Sequence, residues 1–391
     1  MKKNVIIIFG CGFFQKKIIK NLENYKVVGI DENPNAYCKN RVDYFINEKF
    51  ENIKNIEKKI TKKKHKPFLI ISYNTEAGYK YATKLKKLFK HKTISKKTYN
   101  IFFDKSKLNQ FLKNSKFNYP KQINLSKNFS NIKKFSKQII IKPAKSSGSR
   151  NIILINKKNI KNFVKSCDFK KNLILQEYLG NNEIVTDGIV QNKQIKYIVF
   201  SKKIKVQNLK TVSQTIYYKN DMFNQKVRNF FYKAINQFLL KSGYRDGLFH
   251  IEFILKNKKI FIIDAAPRGP GFFVIENYLS KIVKKNLIIE ALKVEIGEEI
   301  RKNFSYSKYG HMIHFILTKK GKFLKFFSKK LSNKFKLEKF NMINSFTNKP
   351  KIDNDRLGSI YFKRRSIKDL MIALSKIKKI KLVKYSNDQI Y

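Results

Sequence analysis

Five residues near the start of the chain do most to limit its fold. Val5-Ile6-Ile7-Ile8-Phe9 is an unbroken β-branched and aromatic run. That is the pattern of a strand covered on both faces, and such strands belong to parallel sheets flanked by helices. Gly10-Cys11-Gly12 then turns the chain into a helical pattern with Ile18, Ile19 and Leu22 on one face, and Lys26–Ile30 reads as a second strand with Asp31 at its end. This is a βαβ unit opening a parallel α/β domain. The next unit follows with a strand at Pro67–Ser72 and a helix from about Glu76 to Lys90. The opening run has the length of a signal-peptide core, but no small-residue cleavage site follows and Gly10 and Gly12 interrupt it, so a buried strand is the better reading. No stretch approaches the roughly 18 apolar residues that span a bilayer. Cys11, Cys38 and Cys167 form no C-x-x-C pair and fit a reducing compartment, so no membrane partner and a cytoplasmic location are expected.

Beyond Asp104 the pattern changes. Asp104-Lys105 begins a helix running to about Lys116, and Asn118-Tyr119-Pro120-Lys121 leads into strands at Gln138–Lys142, Asn151–Ile155, Leu173–Glu177, Glu183–Gln191 and Gln194–Phe200. A helix is predicted over Gln225–Ser242, then strands Leu248–Leu255 and Lys259–Ala265 joined by Lys256-Asn257-Lys258. A last region from about Ser305 holds a strand near Met312–Thr318, a turn at Lys320-Gly321 and a helix near Ser366–Ile377. β-rich structure after a parallel opening implies a second domain of α+β type, and 391 residues allow two or three domains.

The chain carries 86 Lys and Arg against 27 Asp and Glu, a net charge of +59. An excess of that size ordinarily points to nucleic acid or an anionic membrane surface. Only nine of the basic residues are Arg, the residue that reads phosphates and base edges bidentately. The excess therefore reads as a solvated, Lys-rich surface of the kind an AT-rich genome encodes, with nucleic-acid binding kept as an alternative.

Three constellations carry chemistry. Gly10-Cys11-Gly12-Phe13-Phe14-Gln15 has Gln where a dinucleotide fingerprint needs a third glycine, although Asp31 stands where a ribose-binding acid would. A structural turn competes with a cofactor site here. The second is Ile141-Lys142-Pro143-Ala144-Lys145-Ser146-Ser147-Gly148-Ser149-Arg150, a strand delivering a lysine into a small, hydroxyl-rich loop whose N–H groups suit phosphate oxygens. The third is a hairpin: Glu252 on one strand and Asp264 on the next, both flanked by apolar residues, followed by Arg268-Gly269-Pro270-Gly271. Carboxylates in such surroundings need a compensating cation, and paired hard oxygen ligands suit Mg²⁺ carrying a nucleotide's phosphates.

Taken together, these motifs resemble the ATP-grasp superfamily, of the carboxylate–amine ligase type that includes biotin carboxylase, D-alanine–D-alanine ligase and L-amino acid ligases. Gly10-Cys11-Gly12, Asp31-Glu32-Asn33-Pro34 and Tyr73-Asn74-Thr75-Glu76 resemble its Rossmann-like pre-ATP-grasp domain, which holds no dinucleotide. Asp104-Lys105 with Tyr119-Pro120 is similar to the start of the small subdomain, Leu175-Gln176-Glu177-Tyr178-Leu179-Gly180 to the adenine hinge, and Asp355-Arg356-Leu357-Gly358 to the closing C-terminal element. The implied layout is a Rossmann-like α/β domain over 1–100, a small α+β ATP-grasp subdomain over 101–180, a large one with the metal site over 181–300, and a closing α+β element over 301–391. The resemblance implies that Lys105 and Lys142 neutralise phosphate oxygens, that Ser147, Gly148 and Ser149 close over them, that Gln176, Glu177, Tyr178 and Leu179 face adenine, and that Glu183 holds the ribose. Glu252 and Asp264 would ligate one or two Mg²⁺ ions, or Mn²⁺, and Arg268 would stabilise the transferred phosphoryl group. Two departures stand out: the second acid is Asp rather than Glu, and Ala266 replaces a metal-coordinating Asn.

The activity this implies is ATP-dependent amide formation from a small-molecule carboxylate and an amine through an acyl phosphate. A homodimer is compatible with it. The rivals are an ATP-grasp protein that binds nucleotide without turnover, a nucleotide-cofactor oxidoreductase on the opening βαβ unit, and the basic nucleic-acid binder. Glu76 stands either on the substrate side or simply at a helix N-terminus, and His311 and His314 have no third ligand nearby in sequence.

Overall fold

The computed structural model describes residues 4–125, 135, 137–146, 148–165, 172–206, 209–301, 305–327, 331, 335–340 and 346–385. The chain opens with β1 (Val5–Phe9), α1 (Lys16–Lys20), β2 (Lys26–Asp31), β3 (Tyr44–Asn47), α2 (Ile53–Lys62), β4 (Pro67–Ile71) and α3 (Glu76–Leu88). The four strands form a parallel sheet in the order β3-β2-β1-β4. All five residues of β1 are buried. Ile6 and Ile8 enter one apolar cluster, Val5, Ile7 and Phe9 another, so both faces are covered as the unbroken run requires. The strand β3 and helix α2 are additions to the elements read from the sequence.

The glycine turn after β1 is structural. The Cys11 N–H donates to Asp31 Oδ2 at 2.6 Å and the Asn33 N–H to Asp31 Oδ1 at 2.9 Å. Gly10 has φ +96°, and the side chain of Gln15 packs against it while donating to Asn74 Oδ1 at 3.0 Å. Asp31 thus ties the loop to β2. The helix after the turn is shorter than its pattern, because a 3₁₀ turn takes up Phe13–Gln15.

The middle of the chain follows as α4 (Lys96–Phe103), α5 (Lys105–Asn114), β5 (Gln122–Asn124), β6 (Gln138–Pro143), β7 (Ile153–Asn156), α6 (Ile160–Lys165) and β8 (Leu173–Glu177). Strands β5 to β8 make a small antiparallel sheet in the order β5-β8-β6-β7. Next come β9 (Glu183–Gln191), β10 (Gln194–Val206), β11 (Leu209–Tyr218), α7 (Gln225–Ser242), β12 (Gly247–Lys256) and β13 (Lys259–Ala266). After a π-helical turn at Ile275–Leu279 the chain continues through α8 (Ser280–Val283), α9 (Leu287–Ile296), β14 (Gly310–Leu317), β15 (Gly321–Phe326), β16 (Lys336–Lys339), β17 (Phe346–Thr347), β18 (Arg356–Arg364), α10 (Ile367–Lys379) and β19 (Val383–Tyr385). Eight of these strands build one antiparallel sheet, β13-β12-β9-β10-β11-β14-β18-β16, and β17-β15-β19 form a small fourth sheet.

The large sheet carries apolar side chains on both faces. Ile184, Phe249, Ile251 and Phe253 pack under α4, α5 and α7 through Phe102, Leu108, Phe231 and Phe238. Val185, Tyr197 and Ile313 share a second core with Ile6, Ile18 and Leu22 of the first domain and with Tyr278 and Leu279 of the π turn. Burying a side chain of this size stabilises by roughly 1.5–3 kcal/mol, so the first domain is held to the sheet by a continuous core. Polar clasps add to it: Glu338 of β16 accepts from Lys16 at 2.8 Å and from Lys17 at 2.7 Å.

Candidate active site

The small sheet faces the β12–β13 end of the large sheet across a cleft of about 620 Å³. On the large sheet Glu252 and Asp264 are direct cross-strand partners, beside a bulge that shifts the register at Phe253. Neighbouring strands bring further charges. His250 lies two residues before Glu252 and so on the same face. Its Nδ1 is 2.6 Å from Asp187 Oδ1 and its Nε2 3.1 Å from Glu252 Oε1. Burial disfavours the imidazolium, but Asp187 and Glu252 outweigh it and raise the His250 pKa to about 9.

Lys203 of β10 forms ion pairs with Glu183 at 2.7 Å and with Glu252, and Lys205 pairs with Glu183 at 2.8 Å. Burial works against charge on both sides. Lys203 and then His250 nevertheless hold the Glu252 carboxyl well below the usual range, while Glu183 and Glu252 raise Lys203. A buried array of this kind is stable only when every member is paired.

The small sheet contributes Lys142, at the end of β6 and 5% exposed. Its Nζ donates only a long bond, 3.4 Å, to the Ile263 carbonyl. Burial and the nearby Lys105 lower its pKa to about 8. Lys105 is the first residue of α5, whose N-cap Asp104 accepts from the Ser106 and Lys107 N–H groups. The Lys105 ammonium donates to Ser146 O at 2.7 Å and lies 3.3 Å from Asp264 Oδ1. Lys142 from the small sheet and Lys105 from α5, which packs on the large sheet, thus converge on the acid pair.

The loop after β6 reaches across the cleft. Gly148 and Ser149 have φ +66° and +58°. Ser149 Oγ donates to the Thr211 carbonyl at 3.0 Å and to Asp353 Oδ2 at 3.3 Å. Ser147 lies outside the described residues. Gln176, Glu177, Tyr178 and Leu179 line one end of the cleft, with Glu183 below them. At the other end Arg268 donates to the Gly269 carbonyl at 2.9 Å and lies 3.9 Å from Glu76, the first residue of α3. The Gly269 N–H donates to Tyr73 O at 2.9 Å and joins this loop to the first domain. The Arg268 Nε–H is enclosed and has no acceptor among the described residues.

Apart from Ser147, every site residue named from the sequence lines this one cleft: Lys105, Lys142, Gly148, Ser149, Gln176, Glu177, Tyr178, Leu179, Glu183, Glu252, Asp264 and Arg268. Glu76 lines it as well as opening its helix. Among the described residues no group of three or more His, Cys, Asp or Glu is arranged to hold a metal, so an ion at Glu252 and Asp264 would complete its shell from a ligand and water. Ala266 lines the cleft and offers no side-chain ligand. His311 and His314 lie elsewhere in β14, bonded to Tyr361 OH and Thr215 Oγ1, and burial lowers each to about 4.

Sequence reasoning missed Asp187, His250, Lys203, Lys205, Asp353 and the cleft-facing role of Arg356. His250 was within reach, since alternation places it beside Glu252. Asp187, Lys203, Lys205 and Arg356 come from strands whose pairing no local pattern encodes, and Asp353 from the turn before β18.

Residues 102–271 match the ATP-grasp domain family. Comparison with curated protein sequences finds no match. Among solved structures the chain is similar to an L-amino acid ligase from Bacillus licheniformis, with a TM-score of 0.83 at 13% identity over 99% of this chain and 100% of that one. It is also similar to the N5-carboxyaminoimidazole synthetase of Staphylococcus aureus complexed with ADP, with a TM-score of 0.75 at 15% identity over 96% and 98%. A third similar structure is the biotin carboxylase domain of the Hydrogenobacter thermophilus 2-oxoglutarate carboxylase, in complex with MgADP, ADP and bicarbonate, with a TM-score of 0.74 at 12% identity over 98% and 91%. No described helix is long and apolar enough to cross a membrane. Residues 102–271 thus match the ATP-grasp domain family, and the chain shares the fold of these solved structures over nearly its whole length.

Proposed function

We propose that this chain is an ATP-dependent carboxylate–amine ligase. One observation carries the reading: Lys105 and the nearly unpartnered Lys142 converge on the facing carboxylates Glu252 and Asp264. Buried ammonium groups and paired acids in one cleft fit a polyphosphate with its Mg²⁺ and fit little else. Glu252 and Asp264 would hold the ion, which supplies charge neutralisation on the phosphate oxygens. Lys105 and Lys142 bind the same oxygens, the Gly148–Ser149 loop excludes water, and Glu183 with Gln176–Leu179 seats the nucleoside end.

A carboxylate oxygen of the acid attacks the γ-phosphorus, the bond to the β,γ-bridging oxygen breaks, and ADP leaves. The amine nitrogen then attacks the acyl carbon. The bond from that carbon to the phosphate oxygen breaks, phosphate departs with the electron pair, and the nitrogen loses a proton to give the amide. Arg268, which lines the cleft, is placed to hold the developing negative charge. Proximity of acid and nucleotide supplies much of the rate.

The test is phosphate release from ATP across a panel of acid and amine pairs, with calorimetric Mg-ATP binding alongside. Glu252→Gln is expected to weaken Mg-ATP binding at least tenfold and to abolish release. Ala266 favours a second reading, nucleotide binding without turnover. Binding without release under any pair would replace the ligase reading by that one.

A further inference from the structure

The end of the cleft away from Gln176–Leu179 has a composition of its own. Phe14 and Phe272 line it, with their rings 4.8 Å apart edge to face. The Arg356 guanidinium lies 4.6 Å from the Phe272 ring centre and 3.9 Å from that of Phe315. Arg356 is 6% exposed, and its Nη2 donates to Ser213 O at 2.8 Å and to Asp353 Oδ1 at 2.7 Å. Arg356 lines the cleft, and a guanidinium fixed by these two bonds and stacked on aromatic rings is placed to receive an anion there.

The aromatic wall is equally fixed. The Phe14 carbonyl accepts from Asn74 Nδ2 at 3.0 Å, and the Asn74 amide oxygen in turn accepts from Gln15. Phe272 and Phe273 both have φ near +57°, a conformation that bulky residues rarely adopt. Two successive residues are held there, and the backbone so twisted puts the Phe272 ring into the cleft. The charges at this end balance, with Arg268 and Arg356 against Glu76 and Asp353. Lys203 and Lys205 are already neutralised by Glu183 and Glu252.

We propose that this end selects a carboxylic acid with an apolar, ring-sized side chain, seated on Phe14 and Phe272, and that Arg356 is the residue that holds its carboxylate. The inference rests on the ligase reading for its chemistry, but it makes a separate claim about binding. A polar side chain set against these rings would lose hydration that the rings do not replace, whereas burying an apolar one gains affinity with each methylene.

The experiment uses the full chain saturated with Mg²⁺ and a non-hydrolysable ATP analogue. Acids of matched size are titrated calorimetrically, with phenyl or cyclohexyl side chains against hydroxyl, amide, carboxylate or phosphate ones. At least a tenfold preference for the apolar acids is expected. Phe14→Ala and Phe272→Ala should reduce it to less than threefold, and Arg356→Lys should weaken acid binding at least tenfold with nucleotide affinity retained. Tighter binding of polar or phosphorylated acids, equal or absent binding across the panel, or a preference that survives these variants would overturn the inference. A parallel assay with ATP and hydroxylamine, which traps an acyl phosphate as a hydroxamate, tests the chemistry. Selective binding of apolar acids without hydroxamate would sink the ligase reading and leave the pocket assignment standing.

Discussion

Glu276 offers a quantitative test of how the π turn is built. Its carboxyl is partly buried, and Oε1 is enclosed without a partner among the described residues. Burial pushes its pKa from 4.5 up to about 7, with the nearby Glu338 carboxylate adding to the effect against its own N–H and Lys17. Below pH 4.5 the group is protonated whether the chain is folded or not, and it costs nothing. Above that the unfolded chain gains an ionised carboxylate that the folded chain resists, so stability falls as pH rises through 7. The gap between 4.5 and about 7, at about 1.36 kcal/mol per pH unit, sets a ceiling of about 3.4 kcal/mol. Between pH 5 and pH 8 the loss is about 2.5 kcal/mol at most, and about 2 kcal/mol once residual solvent contact is allowed for. Glu276→Gln keeps the shape and removes the charge. In urea unfolding followed by circular dichroism, the variant should exceed the parent by about 2 kcal/mol at pH 8 and by under about 1 kcal/mol at pH 5. A variant no more stable than the parent at pH 8, or one with the same gain at both pH values, would refute the reasoning.

Three other outcomes follow from the packing. Glu338→Ala removes the acceptor shared by Lys16, Lys17 and Asn277, and thermal unfolding should report a loss of about 1–2 kcal/mol, because the group is half-buried and charged. Thr98→Val strips the donor from the buried Ser242 carbonyl, now bonded at 2.8 Å, at a cost of about 1–2 kcal/mol that Thr98→Ser should largely avoid. Burial raises the Cys38 thiol to about 11 and Cys11 higher still. Peptide mapping after iodoacetamide at pH 8 should find both unmodified in the native protein and labelled in urea.

Periodicity was legible wherever it was strong. The runs Val5–Phe9 and Glu183–Gln191 are buried at every position and read as strands for that reason. Strand β11 passed unread because Lys210, Ser213, Gln214 and Thr215 dilute its apolar residues, and its place is set by pairing with β10 and β14. Helix α2 buries only Ile56 and Ile60, too short a stripe to stand out among lysines. In the cleft, Glu252 and Asp264 were visible because acids are scarce in this chain and these two sit among apolar neighbours. Their supporting charges were not. Asp187, Lys203 and His250 belong to three strands, and only the sheet order makes them neighbours. The net charge of +59 attracts attention first, yet the lysines that matter are those the fold buries.

The clasp between Lys16 and Glu338 joins residues 322 positions apart. At about 5–20 residues per second on a ribosome, the partner emerges tens of seconds after the helix that needs it. The first parallel sheet can pair its strands early, but Ile18, Ile19 and Leu22 then wait uncovered for the π turn and the large sheet. Growing chains are thus committed to a long interval with a sticky flank, and a fragment ending near residue 100 should aggregate rather than persist as an independent unit. The last strands of the large sheet complete the domain that was made first.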